Sequence, residues 1–224
     1  MNDTAASSRQ PLTRDRVTEA AIALADTEGL GAVSMRRVAG ALGVEAMSLY
    51  NHVANKDALL AGMVDRVAAE IALPVAGGDW RAEMRRRAVS AHETLMRHRW
   101  AAMLFLSGVN TGPAMLRYVD ATIGCLVAAG FPYPLADHAW NAIDAHVYGF
   151  TLQALNFPFA PEDYAAQAAA YLPQIDRAAT PHLHRMAELV AAGAHTGRHD
   201  LGFGLDLILD GLSRRLAAEG PVRT

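Results

Sequence analysis

Lysine is nearly absent from this chain of 224 residues. Lys56 is the single one among 20 basic residues, an arginine bias that reflects G+C-rich codon usage rather than physics. Cysteine occurs once, at Cys125, which excludes an intramolecular disulfide framework. No uninterrupted apolar run is long enough to span a bilayer, and residues 1–10 are polar without a signal-like hydrophobic region. No membrane partner and a cytoplasmic location are therefore expected. Excess positive charge is missing too: 20 basic against 23 acidic residues give a formal net charge of −3. That excludes coating nucleic acid by bulk electrostatics, so any such contact has to come from a local surface. Strand-like alternation bounded by turns is absent, as is any internal repeat. What remains is a chain that is 52% hydrophobic and long enough for a small domain plus a larger one.

Apolar residues recur at helical spacing from end to end, and proline or glycine marks nearly every break. Val17, Ala20, Ala21, Leu24 and Ala25 form the core face of a first helix that Gly29 stops, and residues 30–33 are a short connection. Another helix over 56–73 carries Leu59, Leu60, Met63, Val64 and Val67. Further helices are predicted over 79–98, 101–107, 113–129, 134–157, 162–172, 181–192 and 201–218. Asp79 and Thr180 read as N-caps, and Pro113, Pro134 and Pro181 fall near first-turn positions. Residues 157–161, Phe-Pro-Phe-Ala-Pro, read as an apolar kinked connection at a pocket or over the core edge.

Residues 38–56 hold two short helices joined by a glycine turn, the arrangement of a DNA-reading helix-turn-helix. Ser34 caps the first, Val38 and Leu42 recur on one face, and Gly43 supplies a turn position where a positive φ costs nothing. Ala39 is small because the two helices cross closely there. Leu49 and Val53 make the buried stripe of the second helix, leaving Ala46, Met47, Ser48, Tyr50 and Asn51 on or near its outer side. Such a small, polar and aromatic face suits a major groove.

Residues 13–60 together resemble the N-terminal domain of the tetracycline-repressor (TetR) family of bacterial regulators. The likeness rests on Glu28-Gly29 at the end of the first helix, the Ser34-Met35-Arg36-Arg37-Val38-Ala39 entry to the second, and Gly43. It also rests on the Leu49-Tyr50-Asn51-His52-Val53 core and the Lys56-Asp57-Ala58-Leu59-Leu60 start of the fourth helix. Gly130-Phe131 and residues 203–212 resemble the ligand-binding and dimerising domain of the tetracycline repressor's own subgroup. The resemblance implies an all-α fold with a three-helix helix-turn-helix domain and a larger helical ligand-binding and dimerisation domain. We assign residues 1–12 to a flexible tail, 13–60 to the DNA-binding domain and 61–224 to the larger domain. The division falls inside the fourth helix, since a helix shared by both domains transmits movement.

The resemblance places Lys56 and Tyr50 at phosphate contacts, which set register without reading sequence. Ser34 and Met35 begin a helix whose free N–H groups can hold a phosphate. Arg36 can reach a guanine edge, Asn51 an adenine, and Met47 or Ala46 a thymine methyl, while Ser48 and His52 can bind phosphate or base. A solvated helix face is the alternative for Arg36, Ser48 and Asn51, and packing is the alternative for His52. Arg9, Arg14 and Arg16 read either as phosphate or minor-groove contacts or as a solvated tail. The departures from the tetracycline repressor at Ala46, Met47 and Asn51 mean that its operator is not carried over.

In the last helix Leu201, Leu205, Ile208, Leu212 and Leu216 make one apolar stripe, while Phe203, Leu207 and Gly211 occupy another side. A partner subunit would cover the second face, and Gly202, Gly204 and Gly211 fit close approach of backbones. The family generally pairs this helix with the one over 134–157 in a homodimer. Two-fold symmetry then implies a palindromic double-stranded operator with half-sites about 34 Å apart or a multiple of it.

For a small-molecule effector, Trp100, Met103, Phe105, Met115, Tyr118, Trp140 and Tyr148 offer an apolar lining. Asn110, Thr122, Asn141, Asp144 and His146 offer orienting polar groups, with core packing as the alternative for most of them. By the resemblance, Ala68, Ala91 and Phe105 stand where the tetracycline repressor uses histidine or a large aromatic, and Arg87 where it uses an amide. Magnesium-tetracycline is therefore not the expected effector; a hydrophobic or multi-ring compound is. No cofactor is expected. A metal-responsive regulator, built on His182 with His184 or His195 with His199, is the alternative function. A helical enzyme using Asp137, His138, Asp144 and His146 is remoter, because no nucleophile motif or phosphate-cradling glycine loop accompanies them.

Overall fold

The computed structural model describes residues 11–107, 110–197 and 200–219. Residues 1–10 of the predicted tail over 1–12, with Arg9, and His199 of the candidate metal pair, lie outside the described residues.

Helix α1 (Arg14–Glu28) starts where Thr13 Oγ1 accepts a hydrogen bond from the Arg16 amide, and it stops at Gly29 with φ 83°. A single 3-10 turn leads to α2 (Met35–Leu42), capped by Ser34, whose Oγ accepts from Arg37 N at 3.3 Å. Gly43, at φ 66°, closes α2 while the Val44 amide reaches back to Ala39 O at 3.0 Å, a left-handed C-terminal cap that glycine alone adopts without strain. Helix α3 (Ala46–Leu49) is one turn long. The sequence expectation of a longer second helix is corrected here: Tyr50, Asn51 and His52 stand in the following turn, where His52 N and Val53 N both bond to Leu49 O at 2.9 Å. The buried stripe is as expected, with Val17, Ala21, Val38, Ala39, Leu49 and Val53 all inside.

Helix α4 (Lys56–Ala68) begins at Asn55, whose Oδ1 accepts from Ala58 N at 2.8 Å, and ends before the predicted residue 73. Beyond it come α5 (Trp80–Arg97), α6 (Ala101–Ser107), α7 (Pro113–Ala128) and α8 (Tyr133–Asn156). The chain then makes α9 (Tyr164–Tyr171), α10 (Pro181–Ala191) and α11 (Leu201–Glu219). Helix α8 is the hub of the larger domain, packed on α5, α6, α7 and α11. Helices α9 and α10 pack chiefly on each other, and neither buries a residue. No described residue is in a strand, and no described helix is long and apolar enough to cross a membrane.

Asp79 caps α5 by accepting from Arg81 N at 2.9 Å. Thr180 does not cap α10 as expected, because its hydroxyl donates to Asp176 O at 2.7 Å instead. Asp65 of α4 binds the start of α7: its Oδ1 accepts from Ala114 N at 2.8 Å and Met115 N at 3.0 Å. Gly112 makes room for this contact, since a Cβ there would lie 2.2 Å from the same oxygen.

The inner stripe of α11 contains Leu201, Leu205, Leu209 and Leu212, all buried, with Ile208 and Leu216 half-buried. Phe203 and Leu207 on its other side are 68% and 60% exposed. The glycine expectation needs correcting in part. Gly204 packs within the chain, where a Cβ would lie 2.4 Å from the His146 ring, and Gly211 has no neighbour closer than 4.0 Å.

Candidate nucleic-acid interface and buried polar core

Around the helix-turn-helix, Arg36, Met47, Tyr50, Asn51 and Lys56 are exposed, while Ser34, Met35, Ala46, Ser48 and His52 are half-buried. Met47 is 75% exposed on a one-turn helix whose only buried residue is Leu49. Lys56 is the first residue of α4, so its ammonium adds to the positive end of that helix, a combination that attracts phosphate. Arg37, which the sequence reading left without a role, forms an ion pair with Glu28 at 2.6 Å that fastens α2 to the end of α1. Arg16 Nη1 donates to Pro11 O at 2.8 Å. Arg14 lines a cavity of about 570 Å³ at the junction of α1, α4 and α7, together with Asp65, Arg66 and Arg117.

The larger domain is organised around a residue that the sequence reading did not make a candidate. Met84, Arg87, Ala88, Ala91 and Leu95 form the buried stripe of α5, and Arg87 is fully enclosed. Its Nη1 donates to the Tyr118 hydroxyl, and its guanidinium carbon lies 5.2 Å from the centre of the Tyr118 ring. Its Nη2 lies 2.7 Å from Asp144 Oδ1. Asp144 Oδ2 accepts from Trp140 Nε1 at 2.7 Å and from the Tyr148 hydroxyl at 3.3 Å. Burial works against the charge on Arg87, yet Tyr118 and Asp144 outweigh it and hold the guanidinium protonated. Burial pushes Tyr118 up to about 12 and Tyr148 well above its ordinary value, so both remain neutral hydroxyls. An arginine at helical spacing among Met84, Ala88 and Ala91 was the available signal.

The structure thus brings Phe105, Tyr118, Trp140, Asp144 and Tyr148 into one cluster, with Phe105 edge-on to Tyr148 at 6.2 Å. Thr122, also buried, donates to Tyr118 O at 2.7 Å. Met103 and Asn141 do not join, being exposed on α6 and α8. Trp100 belongs elsewhere: its Nε1 donates to Asp26 Oδ1 of α1 at 2.6 Å. There His98 Nδ1 lies 2.9 Å from Asp26, and its Nε2 lies 3.3 Å from Glu70. Burial raises the pKa of Glu70, but bonds from Arg97 and His98 outweigh it, and the carboxyl lies below its ordinary range.

Two further cavities open in the larger domain. One of about 610 Å³ runs between α8 and α11 past His146, Phe150, Phe203 and Gly204. Another of about 380 Å³ is walled by Phe157, Phe159, Tyr164, Tyr171, Leu183 and Met186, so the Phe-Pro-Phe connection does border a pocket. Of the twelve effector candidates in the Trp100 to Tyr148 region, Asn110 lines the junction cavity and His146 the one between α8 and α11; the other ten line none of the three. Among the described residues no group of three or more histidine, cysteine, aspartate or glutamate side chains is placed to hold a metal ion. His184 faces Glu188 at 3.4 Å.

Residues 17–63 match the tetR family of bacterial regulatory proteins, and residues 73–216 match the tetracyclin repressor-like C-terminal domain. The chain belongs to the TetR family of transcriptional regulators. It is 34% identical over 208 residues to the HTH-type transcriptional repressor DrrR1 of Streptomyces coeruleorubidus, covering 90% of this chain and 77% of that one. Apo ActR from Streptomyces coelicolor superposes with a TM-score of 0.79 at 28% identity, over 94% of this chain and 99% of that one. ActR in complex with actinorhodin gives a TM-score of 0.76 at 30% identity, over 92% and 99% of the two chains. As a TetR-family member the protein is a ligand-responsive, homodimeric DNA-binding regulator and not an enzyme.

Proposed function

We propose that this TetR-family protein is a repressor that binds a palindromic operator as a homodimer and is released by an apolar, multi-ring organic effector. The observation that carries this reading is the hold of Asp65 on the first amides of α7, because it ties the wall of the buried core to the helix that ends the DNA-binding unit. Tyr118 is on α7, so an effector that moves Tyr118 pulls on α4 and alters the spacing of the two recognition helices in the dimer. Release then requires the effector to bind the DNA-incompetent arrangement better than the DNA-bound one. DrrR1 is named a repressor and ActR has been captured with actinorhodin, and both likenesses favour this reading.

In this account residues 13–60 form the DNA-binding domain and 61–224 the effector and dimerisation domain. Lys56, Tyr50 and the amides behind Ser34 and Met35 hold phosphates. Arg36, Ala46, Met47, Ser48, Asn51 and His52 face the bases. Phe105, Tyr118, Thr122, Trp140, Asp144 and Tyr148 surround the effector with Arg87, and Trp100 serves the joint to α1. The test is selection of bound sites from random duplexes, followed by a compound screen for release with chelator present. An enriched inverted repeat that apolar multi-ring compounds dissolve is expected. Release that requires a stoichiometric divalent ion would replace this reading with a metal-responsive one.

A further inference from the structure

Three arginines from three helices wall the cavity of about 570 Å³ at the junction of α1, α4 and α7: Arg14, Arg66 and Arg117. Each is exposed, and none of the three side chains makes a hydrogen bond or an ion pair with another described residue. Elsewhere guanidinium groups between helices are matched, Arg37 by Glu28, Arg81 by Asp210 and Arg85 by Asp206. Two carboxylates share the cavity wall, Asp15 and Asp65. Asp65 is already engaged, since its Oδ1 accepts from Ala114 N and Met115 N and its charge meets the positive end of α7. Three positive charges against Asp15 leave the cavity with an excess of two. The operator does not supply the missing charge: Arg66 is ten residues beyond Lys56 on α4, about 15 Å along the axis from the end that holds the proposed phosphate contact.

We propose that this cavity is a ligand site separate from the aromatic core, and that it takes a small organic dianion, a dicarboxylate or a phosphate monoester, between Arg14, Arg66 and Arg117. The guanidinium fork matches the oxygens of either group in pairs, and the volume suits a small metabolite. A neutral compound leaves the excess charge unmatched, and a monoanion matches half of it. None of Phe105, Tyr118, Trp140 and Tyr148 lines the cavity, so the proposal does not rest on the multi-ring effector. Arg117 belongs to α7, whereas Arg14 and Arg66 belong to α1 and α4. A dianion bound among them therefore fastens the larger domain to the DNA-binding unit, across the joint that Asp65 holds.

The test is calorimetric titration of the full-length protein, without DNA, with succinate and with glycerol 3-phosphate, against acetate at equal ionic strength. One dianion per chain is expected, with acetate at least ~10-fold weaker and the melting temperature rising as the site fills. The tighter of the two dianions tells a carboxylate source from a phosphate one. Arg66→Gln/Arg117→Gln changes exposed side chains and keeps the fold; it should weaken dianion binding at least ~10-fold, whereas Arg185→Gln on α10 should leave it unchanged. Binding of neither dianion, or acetate binding as tightly as both, would overturn the proposal. A double variant that binds dianions like the wild type would overturn it too, and a smaller salt slope of that variant on duplex DNA would reassign the arginines to the phosphate backbone.

Discussion

Trp100 donates its indole N–H to Asp26 Oδ1 at 2.6 Å, joining residues 74 positions apart in the chain and tying helix α1 to the corner between α5 and α6. His98 shares the same carboxylate. The larger domain is therefore fastened to α1 here, and α7 is fastened to the shared helix α4 at Asp65. Trp100→Phe keeps the ring and removes the donor, and should cost about 1–3 kcal/mol in denaturant titration because the bond is to a carboxylate. It should also shift the effector concentration that releases operator while leaving effector affinity in the absence of DNA little changed. An unchanged release curve would show that the α1 joint takes no part in coupling.

Asn51 and Lys56 should differ in kind. Asn51→Ala is expected to relax preference at a single base position, at about 1–3 kcal/mol, whereas Lys56→Ala should weaken all sequences alike and reduce the salt slope by about one. Anisotropy titrations across salt on a panel of single-base variants of the selected site separate the two effects.

The two faces of α11 can be told apart by charge. Phe203→Asp or Leu207→Asp places a carboxylate on the exposed side and should give a folded monomer, whereas Leu209→Asp buries a charge in the chain's own core and should unfold it. Sedimentation at micromolar concentration reports the mass and circular dichroism the helix content. A Phe203→Asp dimer as tight as the wild type would contradict the assignment.

Acid should destabilise the protein in two stages. Burial holds the His92 imidazole below its ordinary range, where it lies 2.8 Å from Thr151 Oγ1 and edge-on to Phe150. The unfolded chain therefore takes up this proton first, and stability falls as pH drops below about 6.5. Glu70, lowered by Arg97 and His98 against the effect of burial, contributes stability that is present above the ordinary glutamate value. That contribution is lost as pH falls through the depressed value. Denaturation midpoints from pH 7.5 to 3.5 should show His92→Gln flattening the upper part of the profile and Glu70→Gln the lower part.

Much of the fold was legible in the sequence because its signals are local. Gly29 and Gly43 end helices in conformations that glycine tolerates, Ser34 and Asp79 cap, and prolines mark the starts of α7, α8 and α10. The buried and exposed sides of α11 followed from spacing, and Leu209 completes the inner stripe. What periodicity could not give were contacts between distant side chains. Trp100 and Phe105 lie on neighbouring turns and both looked like pocket lining, yet one serves Asp26 and the other Tyr148. Arg87 was noted only as a departure from the tetracycline repressor's amide, and only the meeting of α5, α7 and α8 reveals its partners.

The central claim is two-fold symmetric recognition of duplex DNA by a homodimer. The most direct measurement is the affinity and stoichiometry of the purified protein on its selected duplex, compared with the same duplex carrying one scrambled half-site. The account predicts two chains per intact duplex and a large loss of affinity, on the order of 100-fold or more, when one half-site is scrambled. Equal affinity for the intact and half-scrambled duplexes, or a saturated complex containing a single chain, would contradict it.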